Sequence, residues 1–147
     1  MKITLCGSIA FFDQMLEVQT HFESLGHEVT LPPTEIKDGE GNIIPVARYY
    51  EIRKRAGDDE KWVWDRKAEA IINHFEKVAW ADVVLVLNYD KKGVAGYIGG
   101  NTLMEMGVAF YLGKKIFLLN PIPELSYKEE IIGMKPVVID GNLSLVT

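Results

Sequence analysis

The chain has 147 residues, of which 48% are apolar and 25% charged, and this composition predicts one globular domain over residues 1–147 and excludes a disordered or fibrous protein. The formal net charge of −5 provides no basic surface for a nucleic-acid polymer or an anionic membrane, so neither is an expected partner. Cys6 is the only cysteine, which excludes an internal disulfide and indicates a reducing compartment, by default the cytoplasm.

Apolar runs of strand length alternate with amphipathic segments along most of the chain. Strands are predicted at residues 3–6, 27–31, 83–87, 116–119 and 136–139, and helices at 11–25, 43–56, 60–79 and 102–112. Strands separated by helical crossovers pair in parallel, with helices on both faces of the sheet. The predicted fold is therefore a three-layer, doubly wound α/β domain of about five parallel strands, flavodoxin-like or Rossmann-like.

Residues 35–67 differ from the rest of the chain because they carry eight of its sixteen basic residues. Their Asp38–Asn42 stretch, with two glycines, predicts a turn or a mobile loop before the helix at 43–56. A solvated helical face explains the charges most simply. The alternative is that residues 35–60 form a lid over a pocket or a subunit contact, and as a lid they would bring arginines to a phosphate: Arg48, Arg53 or Arg55.

Ligands of open α/β sheets bind beyond the carboxyl ends of the strands, so the loops after the first and third predicted strands are the expected binding region. Adjacent glycines there let a ligand approach the backbone, and a helix N-terminus offers unpaired N–H groups. Aromatic side chains of the same loops either stack on a nucleobase or plug the core: Phe11, Phe12, Tyr89 and Tyr97. The expected binding residues are Gly7, Ser8, Ile9, Phe12, Asn88, Tyr89, Asp90, Gly99, Gly100, Asn101 and Thr102.

Glu105 is the candidate catalytic residue because the predicted helix around it is otherwise apolar or small. One explanation is structural, since Thr102-Leu103-Met104-Glu105 matches a capping box, in which the glutamate bonds back to the cap residue. The other is functional, because the helix dipole keeps a first-turn carboxylate ionised at the edge of the sheet. Such a carboxylate can attack or stabilise the anomeric carbon of a bound sugar.

Three motifs together resemble the nucleoside 2-deoxyribosyltransferase family, which includes the 2'-deoxynucleoside 5'-phosphate N-hydrolases. They are Cys6-Gly7-Ser8-Ile9, Ala81-Asp82-Val83-Val84, and Glu105-x-Gly107-x-Ala109 followed by Gly113-Lys114-Lys115-Ile116. The resemblance covers most of the chain outside residues 32–70. It implies that Glu105 is the nucleophile that cleaves an N-glycosidic bond, and that the protein forms a homodimer. The stretch from Gly99 to Glu105 is also similar to the phosphoribohydrolases that release cytokinin bases, which break the same kind of bond.

The sequence departs from this family in three regions. The nucleotide hydrolases carry Arg-Gly-Gly after the Gly-Ser-Ile stretch, whereas Ala10-Phe11-Phe12 follow here and remove a cation that would hold a 5'-phosphate. Gly99 stands where the family has an Asp or Ser helper, so the helper would be Asp90, Asn101 or Thr102. His74 stands in place of a family Asp and is either a proton donor to the leaving base or a hydrogen-bonded core histidine.

The sequence therefore predicts an enzyme that cleaves the N-glycosidic bond of a (deoxy)nucleoside or nucleoside monophosphate, by hydrolysis or by transfer of the sugar to another base. No metal or redox cofactor is expected, because a carboxylate and a leaving base suffice for this chemistry. The alternative function is a non-catalytic nucleotide-binding or sensing module. A flavin-binding electron carrier is a third possibility that rests on fold analogy alone.

Overall fold

The computed structural model describes residues 1–147. The chain forms two compact units, the first made of residues 1–31 and 77–147 and the second of residues 32–76. One domain over residues 1–147 stays a prediction. None of the helices combines the length and apolarity that a membrane span requires.

The elements follow one another in this order: β1 (Lys2–Cys6), α1 (Phe12–Ser24), β2 (Glu28–Thr30), β3 (Glu35–Lys37), β4 (Ile43–Pro45), α2 (Val46–Arg55), α3 (Lys61–Trp80), β5 (Val83–Val86), α4 (Gly100–Tyr111), β6 (Lys115–Leu118), α5 (Lys128–Gly133) and β7 (Val137–Val138). A short 3-10 turn precedes α1 at Ile9–Phe11, and another lies at Leu143–Leu145.

The first unit is built on a five-stranded sheet in the order β2-β1-β5-β6-β7, with every neighbouring pair parallel. Helices flank this sheet, which confirms the predicted doubly wound, flavodoxin-like α/β architecture. The chain moves outward from β1 in one direction to β2 and in the other to β5, so the connections reverse between these two strands. A reversal of this kind opens a crevice at the carboxyl ends of the strands, where α/β proteins bind ligands.

The sheet strands alternate their side chains between two apolar cores, as the period of two requires. Ile3 and Leu5 of β1 face one core together with Val83 and Leu85 of β5, and α1 supplies Met15, Val18 and Phe22 to the same core. The other core takes the alternate residues, including Cys6, Val84, Val86 and Leu118, against Met106 and Ala109 of α4. Cys6, the last residue of β1, therefore points towards α4.

The second unit shows where the predicted secondary structure is wrong. Residues 43–45 were predicted to start a helix, but they form β4, which pairs antiparallel with β3. The connecting turn is closed by Asp38, whose Oδ1 accepts hydrogen bonds of 2.9 Å from the backbone N–H groups of Glu40 and Asn42. This short hairpin draws residues 43–45 out of the helix, which begins only at Val46.

A buried amide fixes the loops that follow β5 and β6 in the first unit. The Asn88 side chain is fully buried, and its Nδ2 donates to the carbonyl oxygens of Gly96 (3.3 Å), Asn120 (2.9 Å) and Pro121 (3.2 Å). Its Oδ1 accepts from the Asn120 backbone N–H at 2.9 Å. Buried polar groups need such partners, so Asn88 holds the two loops against each other.

We expect Gly96→Ala to destabilise the protein by about 1–3 kcal/mol more than Gly93→Ala does. Both glycines have a positive φ, 65° at Gly96 and 71° at Gly93, so the left-handed conformation penalises an alanine at either position. Only at Gly96 would the new Cβ meet backbone, the Pro121 carbonyl oxygen at 2.7 Å; the space around Gly93 is open. Urea unfolding of both variants measures the difference, and equal losses would contradict this packing of the loop.

Candidate active site

The loop after β1 is shaped by Gly7 and Ser8. Gly7 has a φ of 152°, and a Cβ there would lie 3.0 Å from the Leu87 carbonyl oxygen and 3.1 Å from the Met15 methyl. A side chain there would force these neighbours to shift and would be strained at this φ, so glycine at residue 7 lets the loop pass close to the end of β5. Ser8 then caps the turn at Ile9–Phe11, since its Oγ accepts a 3.2 Å hydrogen bond from the Ala10 N–H.

Lys91, in the loop after β5, contacts the loop after β1 directly. Its Nζ donates to Ser8 Oγ at 2.7 Å and lies 5.7 Å from the centre of the Tyr97 ring. The two loops thus meet at the carboxyl edge of the sheet, as the sequence predicted. The Lys91 contact itself was missed, because a lysine in a charged loop gives no signal of its distant partner.

The predicted binding residues after β5 mostly contact other protein groups. The Asn88 side chain makes its hydrogen bonds to the backbone of the loops after β5 and β6. Asp90 Oδ1 accepts a hydrogen bond from the Gly96 N–H at 3.0 Å. The Tyr89 and Phe11 rings pack edge to face, with 5.1 Å between their centres, and Phe11 is only 6% exposed. Burial raises the pKa of Tyr89, with a smaller contribution from the charge of Glu17. The Phe11 side chain therefore packs in the core, while the Tyr89 side chain is half-buried at the surface of the loop.

The N-terminus of α4 corrects the sequence prediction. The helix begins at Gly100, with Gly99 as a cap residue that has no side-chain hydrogen bond, instead of at Thr102. Thr102 is thus an interior residue, only 4% exposed, and the predicted capping box does not form. Glu105 is the sixth residue of the helix and lies in its second turn, so the prediction of a first-turn carboxylate held by the helix dipole is also wrong.

Glu105 instead lies beside Cys6. A Glu105 carboxylate oxygen and the Cys6 sulfur are within 4.8 Å of each other, and Cys6 is fully buried while Glu105 is half-buried. Burial raises the pKa of the Cys6 thiol well above its ordinary value, and the charge of Glu105 and a hydrogen bond to its side chain raise it further. The thiol therefore stays protonated and acts as a donor towards the carboxylate. The sequence predicted Cys6 only as the end of a strand and gave no signal of this contact.

The remaining predicted catalytic and phosphate-binding residues belong to the second unit. His74 lies on α3 and is only 3% exposed, and its function as a proton donor stays a prediction. The arginines proposed for a lid, Arg48, Arg53 and Arg55, lie on α2. The Arg53 guanidinium lies over the Tyr50 ring, 4.6 Å from its centre, and its contact with a phosphate stays a prediction.

An open groove of about 810 Å³ lies between the loops after β5 and β6. It includes two of the predicted binding residues, Tyr89 and Asp90, but not Glu105. Its other lining residues are Gly93, Val94, Ala95, Gly96, Asn120, Pro121, Ile122 and Glu124. The groove is large enough for a nucleoside-sized molecule, so it offers space next to the predicted loops without itself exposing the candidate nucleophile.

Within the first unit, Cys6 and Glu105 would offer one sulfur and one carboxylate ligand to a metal ion. Zinc sites use three or four protein ligands, and a protonated thiol binds metal only after it loses its proton. The pair alone is therefore a poor metal site, and the expected absence of a metal stays a prediction.

No family model matches the chain, and no curated protein matches it. Its fold is similar to that of a 2-deoxyribosyltransferase from the psychrotolerant bacterium Bacillus psychrosaccharolyticus, with 20% identity, a TM-score of 0.52 and coverage of 85% of this chain and 76% of that chain. The predicted resemblance to the nucleoside 2-deoxyribosyltransferase family is thereby confirmed at the level of the fold.

Two further solved structures are similar to this chain. One is a CMP N-glycosidase from Clostridium botulinum, with 13% identity, a TM-score of 0.48 and coverage of 94% of this chain and 85% of that chain. The other is a conserved protein from Enterococcus faecalis V583, with 20% identity, a TM-score of 0.48 and coverage of 82% of this chain and 63% of that chain.

The raised pKa of Cys6 predicts a loss of stability at alkaline pH. The unfolded thiol ionises above about pH 8.5, whereas the folded thiol keeps its proton, so the unfolded state binds fewer protons and the free energy of unfolding falls as pH rises. Cys6→Ser retains a donor towards Glu105 but does not titrate in this range. Urea unfolding between about pH 8 and 10.5 should show a steeper decline for wild type than for Cys6→Ser, and equal slopes would contradict the assignment.

Proposed function

We propose that this protein cleaves the N-glycosidic bond of a (deoxy)nucleoside or nucleoside monophosphate, with Glu105 as the nucleophile. The observation that carries the proposal is the position of Glu105, half-buried on α4 next to the last residue of β1. This is the edge of the sheet where the loops after β1 and β5 meet, and where doubly wound proteins bind ligands. A fold shared with a 2-deoxyribosyltransferase supports the same reaction class.

In the proposed first step, a Glu105 carboxylate oxygen attacks C1' of the sugar while the bond from C1' to the base nitrogen breaks. The bonding electron pair leaves with the base, which takes up one proton, and the sugar becomes an ester of Glu105. In the second step, water attacks C1', the bond from C1' to the Glu105 oxygen breaks and the water gives up one proton, which yields the free sugar and restores the carboxylate. If a second base attacks instead, the product is a new nucleoside, so hydrolysis and transfer share the intermediate.

Cys6 supports this role of Glu105 by holding its carboxylate. A protonated thiol donates a weak hydrogen bond, which orients one carboxylate oxygen without removing its negative charge. A stronger cationic partner would stabilise that charge further and lower the reactivity of the oxygen towards carbon. The Cys6 contact thus suits a carboxylate that must be both positioned and nucleophilic.

The second candidate function is a non-catalytic nucleotide-binding or sensing module. Two observations favour it: Gly99 stands where the family places an Asp or Ser helper, and the described groove does not include Glu105. In a sensor, the loops would hold the ligand while Glu105 has only a structural role. Catalysis and sensing differ in whether free base is produced.

Replacement of Glu105 by glutamine should abolish base release. Glutamine keeps the size and polarity of the side chain but is not a nucleophile, so release should fall by at least about 1000-fold, a loss typical of a removed catalytic group. Purified protein is incubated with deoxynucleosides, ribonucleosides and their 5'-monophosphates, and free base is measured by chromatography. Glu129→Gln, the same exchange at an exposed residue of α5, is the matched control and should keep the wild-type activity.

The same assay tests His74 and the sensor alternative. His74→Gln should slow base release about 100-fold or more if His74 protonates the leaving base, while a core role would lower the melting temperature and leave the activity of the folded protein intact. Ligand binding without base release by wild type would reject the enzyme and favour the sensor.

We also propose that the protein forms a homodimer in the cytoplasm. Apolar side chains at α4 and just beyond it are exposed, with Met104 at 43%, Phe110 at 52%, Tyr111 at 88% and Leu112 at 44%. Exposed apolar surface of this kind is typical of a protein interface. Light scattering should give twice the mass of the chain for wild type and less for Tyr111→Asp; a wild-type mass of one chain would reject the dimer.

A further inference from the structure

Lys91 and Ser8 are joined across the carboxyl edge of the sheet by a contact that the proposed reaction does not use. Lys91 Nζ lies 2.7 Å from Ser8 Oγ, and the backbone on both sides of this contact is fixed. Lys91 and Val94 exchange two backbone hydrogen bonds of 3.1 and 2.9 Å, which close a tight turn with positive φ at Lys92 and Gly93. The ammonium group is therefore held at one place by a short turn and by a hydroxyl.

Some hydrogen-bond donors of Lys91 and Ser8 have no protein acceptor. Ser8 Oγ accepts from the Ala10 N–H at 3.2 Å and from Lys91, which uses both of its lone pairs. Its own O–H hydrogen donates to no protein acceptor, and Lys91 makes no ion pair with a carboxylate. Two N–H donors of the ammonium, which also lies 5.7 Å from the centre of the Tyr97 ring, and one hydroxyl hydrogen thus have no protein acceptor, and the ammonium adds one positive charge.

We propose that Lys91 and Ser8 bind the phosphate of a nucleoside 5'-monophosphate, so that the enzyme acts on nucleotides in preference to nucleosides. This inference rests on the proposed function and specifies its substrate. A phosphate monoester carries a charge of about −1.5 to −2 near neutral pH and three strong acceptor oxygens. A neutral 5'-hydroxyl would accept from two of the three donors at most and would leave the ammonium charge without a counter-charge.

Lys91 also supplies a positive charge that the loop after β1 lacks. Ala10 stands where nucleotide hydrolases of the resembled family carry an arginine after the Gly-Ser-Ile stretch. Lys91 brings a cation to the same Ser8 hydroxyl from the loop after β5. The sequence alone does not reveal this replacement of one cation by another, because Lys91 and Ser8 lie 83 positions apart.

The experiment compares base release from nucleosides and from their 5'-monophosphates for wild type and Lys91→Met. Methionine keeps the length and apolar stem of lysine but removes the charge and its donors. Wild type should show a higher kcat/KM for the monophosphates, and Lys91→Met should reduce that preference about 10- to 100-fold, the range of a charge-assisted hydrogen bond. Lys91→Arg should keep most of the preference.

Lys92→Asn is the matched control. It removes a neighbouring positive charge that makes no contact with Ser8, and asparagine tolerates the positive φ of 54° at this position. Its preference for monophosphates should stay within about threefold of wild type, because a more distant exposed charge is screened. Thermal unfolding establishes that each variant is folded.

Calorimetric measurement of inorganic phosphate binding distinguishes a failure of the phosphate site from a failure of the proposed function. The Kd for phosphate should rise at least about tenfold in Lys91→Met and little in Lys92→Asn. If wild type releases base but prefers nucleosides, or if Lys91→Met keeps the monophosphate preference, the inference is wrong while the proposed function stands. If no substrate yields base, the proposed function fails, and phosphate binding that is equal in wild type and Lys91→Met would overturn the anion site as well.

Discussion

The parallel pairing of β1 with β5 is the constraint on which the candidate site depends. Because these neighbouring strands run parallel, the loops that follow them leave the same edge of the sheet side by side, and the reversal of the connections between them opens a crevice there. The close approach of Gly7 to Leu87 and the bond from Lys91 to Ser8 both follow from that pairing. The same pairing places the last residue of β1 against α4, and so brings Cys6 to Glu105.

Glu105 is a costly residue for a helix that packs against an apolar core. A half-buried carboxylate loses part of its hydration, and a protein keeps it only where polar partners offset that cost. The Cys6 thiol is one such partner, and its raised pKa reflects the negative charge beside it as well as its own burial. Neither the capping box nor the first turn of the helix explains this carboxylate, since α4 begins two residues before Thr102. The capping-box explanation has therefore lost its basis, and the catalytic role of Glu105 stays a prediction.

The sequence predicted the sheet because each strand carries its own signal. Runs such as Val83–Val86 are continuous, β-branched and bounded by polar residues or turns, so their type and position follow from local pattern. The β3–β4 hairpin was missed because its strands are three residues long, and Ile43 and Ile44 fit a helical start equally well. The start of α4 was misplaced because two glycines disfavour a helix, whereas Thr-x-x-Glu imitates a cap.

Only the features of the site that follow from the topology of the sheet could be predicted from the sequence. Motif order and strand ends located the two loops and Glu105, but the partners of these residues come from distant parts of the chain. Ser8 pairs with Lys91, Asn88 bonds to three carbonyls, and Cys6 faces Glu105. Such contacts depend on register and side-chain direction, which no single segment of sequence encodes.

The most direct test of the account is a search for the covalent sugar on Glu105. A nucleoside 5'-monophosphate with fluorine at C2' slows the breakdown of a glycosyl ester, because fluorine disfavours positive charge at C1'. Mass spectrometry of protein treated with this compound, followed by peptide mapping, should find the added sugar phosphate on the peptide that contains Glu105. Release of base from this compound with the sugar bound to another residue would contradict the central claim, as would an unchanged Glu105 peptide during turnover.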